Sequence, residues 1–137
     1  MDPETGRVEL LKFVAAHDVG TVLNPIGHQG QINDGVVMGI GGALFEELPR
    51  EGGVPTSLSF ADIKVPSIAD VPSFETMLVQ SGGGTGPYNA KSVGESPILP
   101  VAPAIANAIR DALVIRMHSL PMTAEKVPAA LRDAREG

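Results

Sequence analysis

The stretch GQINDGVVMGIGGALFEEL, residues 30–48, combines helical spacing with an unusual density of glycine. The apolar residues Ile32, Val36, Ile40 and Ala43 recur at a period near 3.6 residues. This period predicts a helix. The same stretch contains four glycines: Gly35, Gly39, Gly41 and Gly42. Each glycine destabilises a helix by about 1 kcal/mol relative to alanine. Because Gly35 and Gly39 are one turn apart, they leave one side of the helix bare. The pattern indicates that another backbone segment or a ligand packs directly against this helix.

Two segments have the composition of strands. The first is predicted to begin at Arg7 and end at Ala16, and the second covers residues 73–81. The sequence DPETG, residues 2–6, is typical of the turn of a β-hairpin. Almost no residues precede it to form the first strand of such a hairpin. The first strand is therefore expected to expose an edge. We expect this edge to pair with a strand of another polypeptide or to mediate self-association.

A second long helix is predicted towards the C-terminus. An apolar stripe at helical spacing indicates that it starts between Pro100 and Pro103, because proline suits only the first turn. A short last helix is expected after Thr123 as its N-cap, although Pro128 lies within it. We predict one α+β domain over residues 1–137, in which short strands pack with two main helices.

Composition excludes several classes of function. The net charge of −6, without a basic run, disfavours nucleic-acid binding. The absence of cysteine rules out disulfides, thiolate metal sites and iron–sulfur clusters held by this chain. The longest apolar stretch, residues 35–45, is far shorter than the ~20 residues of a membrane span. The N-terminal residues do not have the pattern of a secretory signal, so a soluble, cytoplasmic protein is expected.

The loop GPYNAKSVGESP, residues 86–97, carries one carboxylate, Glu95. Its order of strand, glycine-rich loop, Lys-Ser and helix is that of a phosphate-binding P-loop. The spacing fails, because Thr85 and Ala90 stand where that motif needs glycine. Two interpretations of Glu95 remain. It is either a carboxylate that stabilises a helix start, or a general base held on a stiff loop beside Gly94.

Other polar residues are weaker candidates. Gln31 is either an exposed neighbour of a helix cap or an amide offered to a ligand over the helix N-terminus. The pair His17-Asp18 resembles part of a metal-dependent phosphohydrolase site. The other histidines, His28 and His118, supply no ligand spacing, so a structural role for His17 is favoured.

Taken together, three stretches resemble a known family. HDVGTVLNPIGHQGQINDGVVMGIGGALFEEL, VPSFETMLV and GPYNAKSVGESP with the following APAIANAI are similar to the C-terminal end of the molybdenum-binding subunit of molybdenum hydroxylases. The family includes xanthine dehydrogenase, aldehyde oxidoreductase and aerobic carbon monoxide dehydrogenase. The similarity covers nearly the whole chain in order and spacing. It implies that the chain is the C-terminal portion of a molybdopterin-binding domain, incomplete without upstream segments.

The resemblance implies roles for particular residues. Ser92-Val93-Gly94-Glu95 aligns with the family's Gly-x-Gly-Glu signature, so Glu95 is expected to be the catalytic general base and Gly94 to lie beside the cofactor. Gly30-Gln31 matches the Gly-Gln pair that contacts the cofactor region. Asn89, Ser92 and Ser96 depart from the family, in which glycine, glycine or alanine, and proline are commoner; this alters loop stiffness around Glu95.

The implied cofactor is molybdopterin, with no FAD or iron–sulfur cluster on this chain. The implied reaction is oxidative hydroxylation of an aldehyde, an N-heterocycle or a CO-like substrate. Implied partners are the remainder of the molybdenum-binding subunit and separate iron–sulfur and flavin subunits. Alone, the chain is expected to be inactive. The alternative is a degenerate, non-catalytic assembly or binding module of the same fold.

Overall fold

The computed structural model describes residues 1–57 and 59–136. The strands are β1 Lys12–Asp18, β2 Arg50–Glu51, β3 Val54–Pro55 and β4 Ser73–Val79. The α-helices are α1 Pro25–Leu44, α2 Phe60–Ile63, α3 Val101–Leu113 and α4 Lys126–Glu136, and 3-10 turns lie at Ile68–Asp70, Pro87–Asn89 and Ser96–Ile98. Short strands thus pack with two main helices, which confirms the predicted α+β class.

Helix α1 begins earlier and ends earlier than the sequence pattern predicted. It starts at Pro25 rather than Gly30, because the Asn24 side chain accepts a hydrogen bond from the Gly27 amide at 2.9 Å and caps the helix. An Asn-Pro pair is often a helix breaker, but proline fits the first helical position. The helix ends at Leu44 rather than Leu48, where the Glu46 amide turns back to the Gly41 carbonyl.

Strands β1 and β4 form a parallel pair, and α1 lies between them in sequence. The register runs from Lys12 opposite Ser73 to Asp18 opposite Val79. The prediction that the first strand covers residues 7–16 was wrong at both ends, because its partner strand begins only at Ser73 and continues to Val79. In the described part of the chain, β1 has β4 on one side and no strand on the other.

The core lies between one face of this sheet and helices α1 and α3. Alternate strand residues point towards it: Phe13, Ala15, Phe74 and Leu78. On the opposite face, Val14 and Met77 are about half exposed, at 49% and 46%. The buried side chains of the two helices are aliphatic: Ile32, Val36, Ile40, Val101, Ile105 and Ile109.

The bare side of α1 is covered by the segment that leads into α3. A Cβ atom added at Gly35 would lie 2.9 Å from Cβ of Pro97, and one added at Gly39 would lie 2.5 Å from Cβ of Val101. Such distances are too short for a real side chain. The prediction that backbone packs directly against the helix is confirmed at Gly35, where the Ile98 amide nitrogen would lie 3.3 Å from the added atom, whereas at Gly39 the close contact is the Val101 side chain. Helix α3 also starts inside the predicted window, at Val101.

The last helix is present, but its predicted cap is not. The Thr123 hydroxyl makes no hydrogen bond in the described structure, and only its carbonyl accepts from the Lys126 and Val127 amides. Pro128 is the third residue of the helix. The first four N–H groups of a helix have no intrahelical acceptor, so proline breaks no hydrogen bond there. Among the described residues, no helix is both long and apolar enough to cross a membrane.

Candidate functional site

The carboxyl ends of β1 and β4 lie at the same edge of the sheet, because the strands are parallel. Loops that leave such an edge form ligand-binding crevices in many α/β proteins. Here residues 19–24 follow β1 and residues 80–95 follow β4. The Val22 amide donates to the Gln80 side chain at 3.1 Å, which joins the two loops near their start. Glu95 lies at the far end of the second loop.

The second loop is fastened first at Lys91. Its amide donates to the Val19 carbonyl at 2.9 Å, and the Thr21 amide donates to the Asn89 carbonyl at 3.2 Å. The Lys91 ammonium also donates to Asp18 at 2.6 Å and to Ser81 at 3.0 Å. We call this set of contacts the Lys91 tie. The hydrogen bond from Lys91, with smaller contributions from the Gly20 amide and Ser81, lowers the pKa of Asp18 well below its ordinary value.

The loop is fastened again at Ser96, immediately after Glu95. The Ser96 hydroxyl and Nε2 of His17 are hydrogen-bonded at 3.0 Å, and the pair is partly buried. We call this contact the Ser96 tie. Pro97, the next residue, is buried against Gly35 of α1. The Ile98 amide then donates to the Glu95 carbonyl at 3.3 Å, which begins the 3-10 turn.

Glu95 itself remains free between these contacts. Its side chain is exposed and makes no hydrogen bond or ion pair with any described residue. It occupies the N-cap position of the 3-10 turn, but its carboxylate caps no amide there. Glu95 therefore lies at a helix start, as one interpretation expected, but its carboxylate makes no capping hydrogen bond there. Whether the helix dipole stabilises this carboxylate stays a prediction. Gly94 beside it is exposed, and a Cβ atom added there would meet no atom within 4 Å.

Gln31 lies in the second turn of α1, because the helix begins at Pro25. It is neither a neighbour of the cap nor at the helix N-terminus, so both structural settings predicted for it were wrong. Its side chain is exposed one turn before Gly35, on the same side of the helix. Pro97 covers Gly35 two residues after Glu95, so the structure places Gln31 and Glu95 on segments that pack together. Gly30 is exposed, with open space at its missing Cβ.

His17 and Asp18 hold the loop. In the described part of the chain, no group of three or more histidine, aspartate or glutamate residues is placed to hold a metal ion. The favoured structural role of His17 is confirmed by its hydrogen bond to Ser96. Sequence reasoning missed Lys91 and Ser96 as the partners of this pair, because 73 and 79 residues separate the bonded side chains.

A cleft of about 460 Å³ lies at the other end of the two strands. Its lining includes Arg7, Leu10, Phe45, Asp70 and Met122. It contains neither Glu95 nor Gln31. The ends of β1 and β4 that border it are their amino ends, near the Lys12–Ser73 pair. The loop that carries Glu95 is therefore separate from this cleft.

Residues 1–72 match the family described as molybdopterin cofactor-binding domain. The chain belongs to this family of domains, found in the large subunits of molybdenum hydroxylases such as xanthine dehydrogenase and aldehyde oxidoreductase. The resemblance seen in the sequence is confirmed.

Individual relatives agree with this assignment. The xanthine dehydrogenase molybdenum-binding subunit of Escherichia coli O157:H7 is 37% identical over 88% of this chain, and the 6-hydroxypseudooxynicotine dehydrogenase complex subunit gamma of Paenarthrobacter nicotinovorans is 38% identical over 93%. In both cases the chain spans 16% of the relative. The structure of aldehyde oxidoreductase from Desulfovibrio gigas matches with a TM-score of 0.86 at 30% identity, over 96% of this chain and 14% of that one.

Proposed function

We propose that this chain, as the C-terminal portion of a molybdopterin-binding domain, supplies the general base and part of the cofactor surface of a molybdenum hydroxylase. The base is Glu95, and the cofactor contacts are Gly30, Gln31 and Gly94. The observation that carries the proposal is that the Glu95 side chain is free while Lys91 before it and Ser96 after it are held by hydrogen bonds. A carboxylate without an internal partner is available to accept a proton from a reacting group.

The local surface suits a large, flat organic cofactor. Gly30 and Gly94 are exposed and have open space at the missing Cβ, so a ligand can approach their backbone closely. The exposed Gln31 amide offers both a donor and an acceptor to such a ligand. When bound, the molybdenum cofactor supplies the redox centre that accepts the two electrons of the oxidation. This chain's own residues hold the cofactor edge and move the proton at a Glu95 oxygen.

The substrates proposed for this site are aldehydes, N-heterocycles or CO-like molecules. The chain spans about 16% of the length of the relatives it matches, so most of the pocket wall would come from the remainder of the molybdenum-binding subunit. Iron–sulfur and flavin subunits would carry the electrons away. One relative is itself described as a subunit of a dehydrogenase complex, which supports a multi-subunit assembly.

The decisive experiment is Glu95→Gln in the complex reconstituted from this chain, the remainder of the subunit and its electron-transfer subunits. We expect kcat to fall by about 10²- to 10⁴-fold, as for loss of a general base. Molybdenum content, measured by elemental analysis, should not change, because glutamine has nearly the same shape. Glu125→Gln, at an exposed glutamate bordering the opposite cleft, is the matched control. An unchanged rate in Glu95→Gln refutes the catalytic role.

A non-catalytic assembly module is the second candidate. It is favoured by the outer face of the sheet, where Val14, Met77 and Val79 are each nearly half exposed. A two-stranded sheet is marginal by itself, so such a face suits a larger assembly. The same reconstitution separates the candidates. A complex that needs this chain to assemble, yet tolerates Glu95→Gln without loss of rate, supports the second one.

A further inference from the structure

The contact between His17 and Ser96 has a consequence for Glu95, whose peptide bond joins it directly to Ser96. We infer that His17 is a positioning residue, which fixes the direction of the Glu95 side chain through the Ser96 tie. This inference rests on the proposed role of Glu95 as the base. His17 touches no reacting group and acts only through the serine.

The arrangement of contacts supports this role. Residues 92–95 lie between the Lys91 tie and the Ser96 tie; Val93 packs against the core, whereas Ser92, Gly94 and Glu95 are exposed. Gly94 adds backbone freedom immediately before Glu95. A restraint on one side of a glycine does not orient the residue on its other side. The orientation of Glu95 therefore depends on the contacts made by the residues on its C-terminal side.

Ser96 and Pro97 make two such contacts, which act on different degrees of freedom. Pro97 is buried against Gly35, which fixes the distance of the segment from α1. It does not by itself prevent the segment from turning about that contact. The hydrogen bond between Ser96 and His17 reaches β1 instead of α1, so it supplies the second fixed point. Two fixed points on two elements define the direction in which Glu95 leaves the turn.

Position 96 is occupied by serine, whose backbone is less restricted than that of the proline that follows it. Proline would restrict the backbone covalently by fixing φ near −65°. Serine leaves φ free, and its hydroxyl supplies a partner for His17. The hydrogen bond thus supplies a restraint that the serine backbone lacks by itself. The side chain of His17, at the end of β1, is partly buried and suits this role.

The first test uses amide hydrogen exchange on this chain, followed by NMR. The Ile98 amide bonds to the Glu95 carbonyl and the Leu99 amide bonds to the Ser96 carbonyl, so both report on the turn beside Glu95. In Ser96→Ala and in His17→Ala we expect these amides to exchange about five- to tenfold faster, the effect of losing one hydrogen bond. The double variant should exchange no faster than either single variant.

The controls separate a local tie from a general loss of structure. Ser92→Ala removes an exposed hydroxyl that makes no hydrogen bond with any described residue, and His118→Ala removes an exposed histidine elsewhere. Both should leave the Ile98 and Leu99 amides unchanged. His17→Gln, whose amide can still reach a hydroxyl, should restore part of the protection. If His17→Ala does not fold, Ser96→Ala alone decides the result.

The second test is the rate of the reconstituted complex. Ser96→Ala and His17→Ala should lower kcat about tenfold and leave KM unchanged, since the base is displaced but the substrate pocket is not. Unchanged exchange at Ile98 and Leu99 in both variants overturns the tie. A rate lost in Glu95→Gln but kept in both tie variants overturns the positioning role. A rate kept in Glu95→Gln overturns the proposed function instead, and the exchange data still judge the tie.

Discussion

Replacing Gly39 by alanine adds one methyl group where α3 packs against α1. The new Cβ atom would lie 2.5 Å from Cβ of Val101 and 2.7 and 2.9 Å from its two methyl carbons. Valine is branched at Cβ and stiff, so it cannot turn aside. Gly42→Ala is the matched control on the same helix, because a Cβ atom there meets nothing within 4 Å and the residue is exposed.

The two substitutions are expected to have opposite effects on the free energy of unfolding. Each gains about 1 kcal/mol of helix propensity relative to glycine. Gly39→Ala also incurs an overpacking cost of about 3 kcal/mol, the upper part of the usual range, since the contact involves a whole branched side chain. The net effect is a loss of about 2 kcal/mol for Gly39→Ala and a gain of about 1 kcal/mol for Gly42→Ala.

Thermal unfolding followed by circular dichroism at the helix band measures both effects. For a domain of this size, about 1 kcal/mol corresponds to about 3–4 °C in Tm. We expect Gly39→Ala to melt about 7 °C below the parent and Gly42→Ala to melt about 3–4 °C above it. If Gly39→Ala is as stable as the parent, or if both variants lose stability equally, close packing at this helix is refuted as the reason for its glycines.

Two further predictions concern charge and association. Because the pKa of Asp18 is lowered in the folded chain, its contribution to stability is complete above its unfolded pKa of about 3.9 and is lost as the pH falls towards the lower folded value. The Tm difference between the parent and Asp18→Asn should thus be present at pH 7 and shrink below about pH 4; a difference that grows in acid contradicts the Lys91 tie. The isolated chain should self-associate through β1, and Val14→Lys on the exposed sheet face should reduce this; a parent that stays monomeric in concentrated solution, by light scattering, contradicts it.

Local patterns predicted the two main helices and the fold class. The period of Ile32, Val36 and Ile40 is set by neighbours in sequence, and the glycines between them indicated close packing that the structure confirms. The start of α1 was missed because the same Asn-Pro pair fits both a loop and a capped helix start. The family resemblance was identified from the same local motifs.

Long-range contacts could not be predicted from local patterns. The parallel pairing of β1 with β4 depends on a crossover through α1, and neither strand's composition specifies its partner. The bonds of His17 to Ser96 and of Asp18 to Lys91 join residues that only the folded sheet brings together. The sequence indicated that Glu95 is held on a stiff loop, but the stiffness comes from these bonds as well as from proline.

The Lys91 tie also separates Glu95 from the earlier part of the loop, residues 80–90. Gly82 and Gly83 are exposed; Gly82 has a φ of +68°, which favours glycine, and a Cβ atom added at Gly83 would lie 3.9 Å from the Ser81 hydroxyl. A short insertion between them would lengthen the loop between Ser81 and Lys91, and we expect it to leave the contact between Ser96 and His17 in place. This turn is therefore a suitable place for a fluorophore or affinity peptide with which to follow assembly of the larger enzyme while the proposed catalytic carboxylate stays undisturbed.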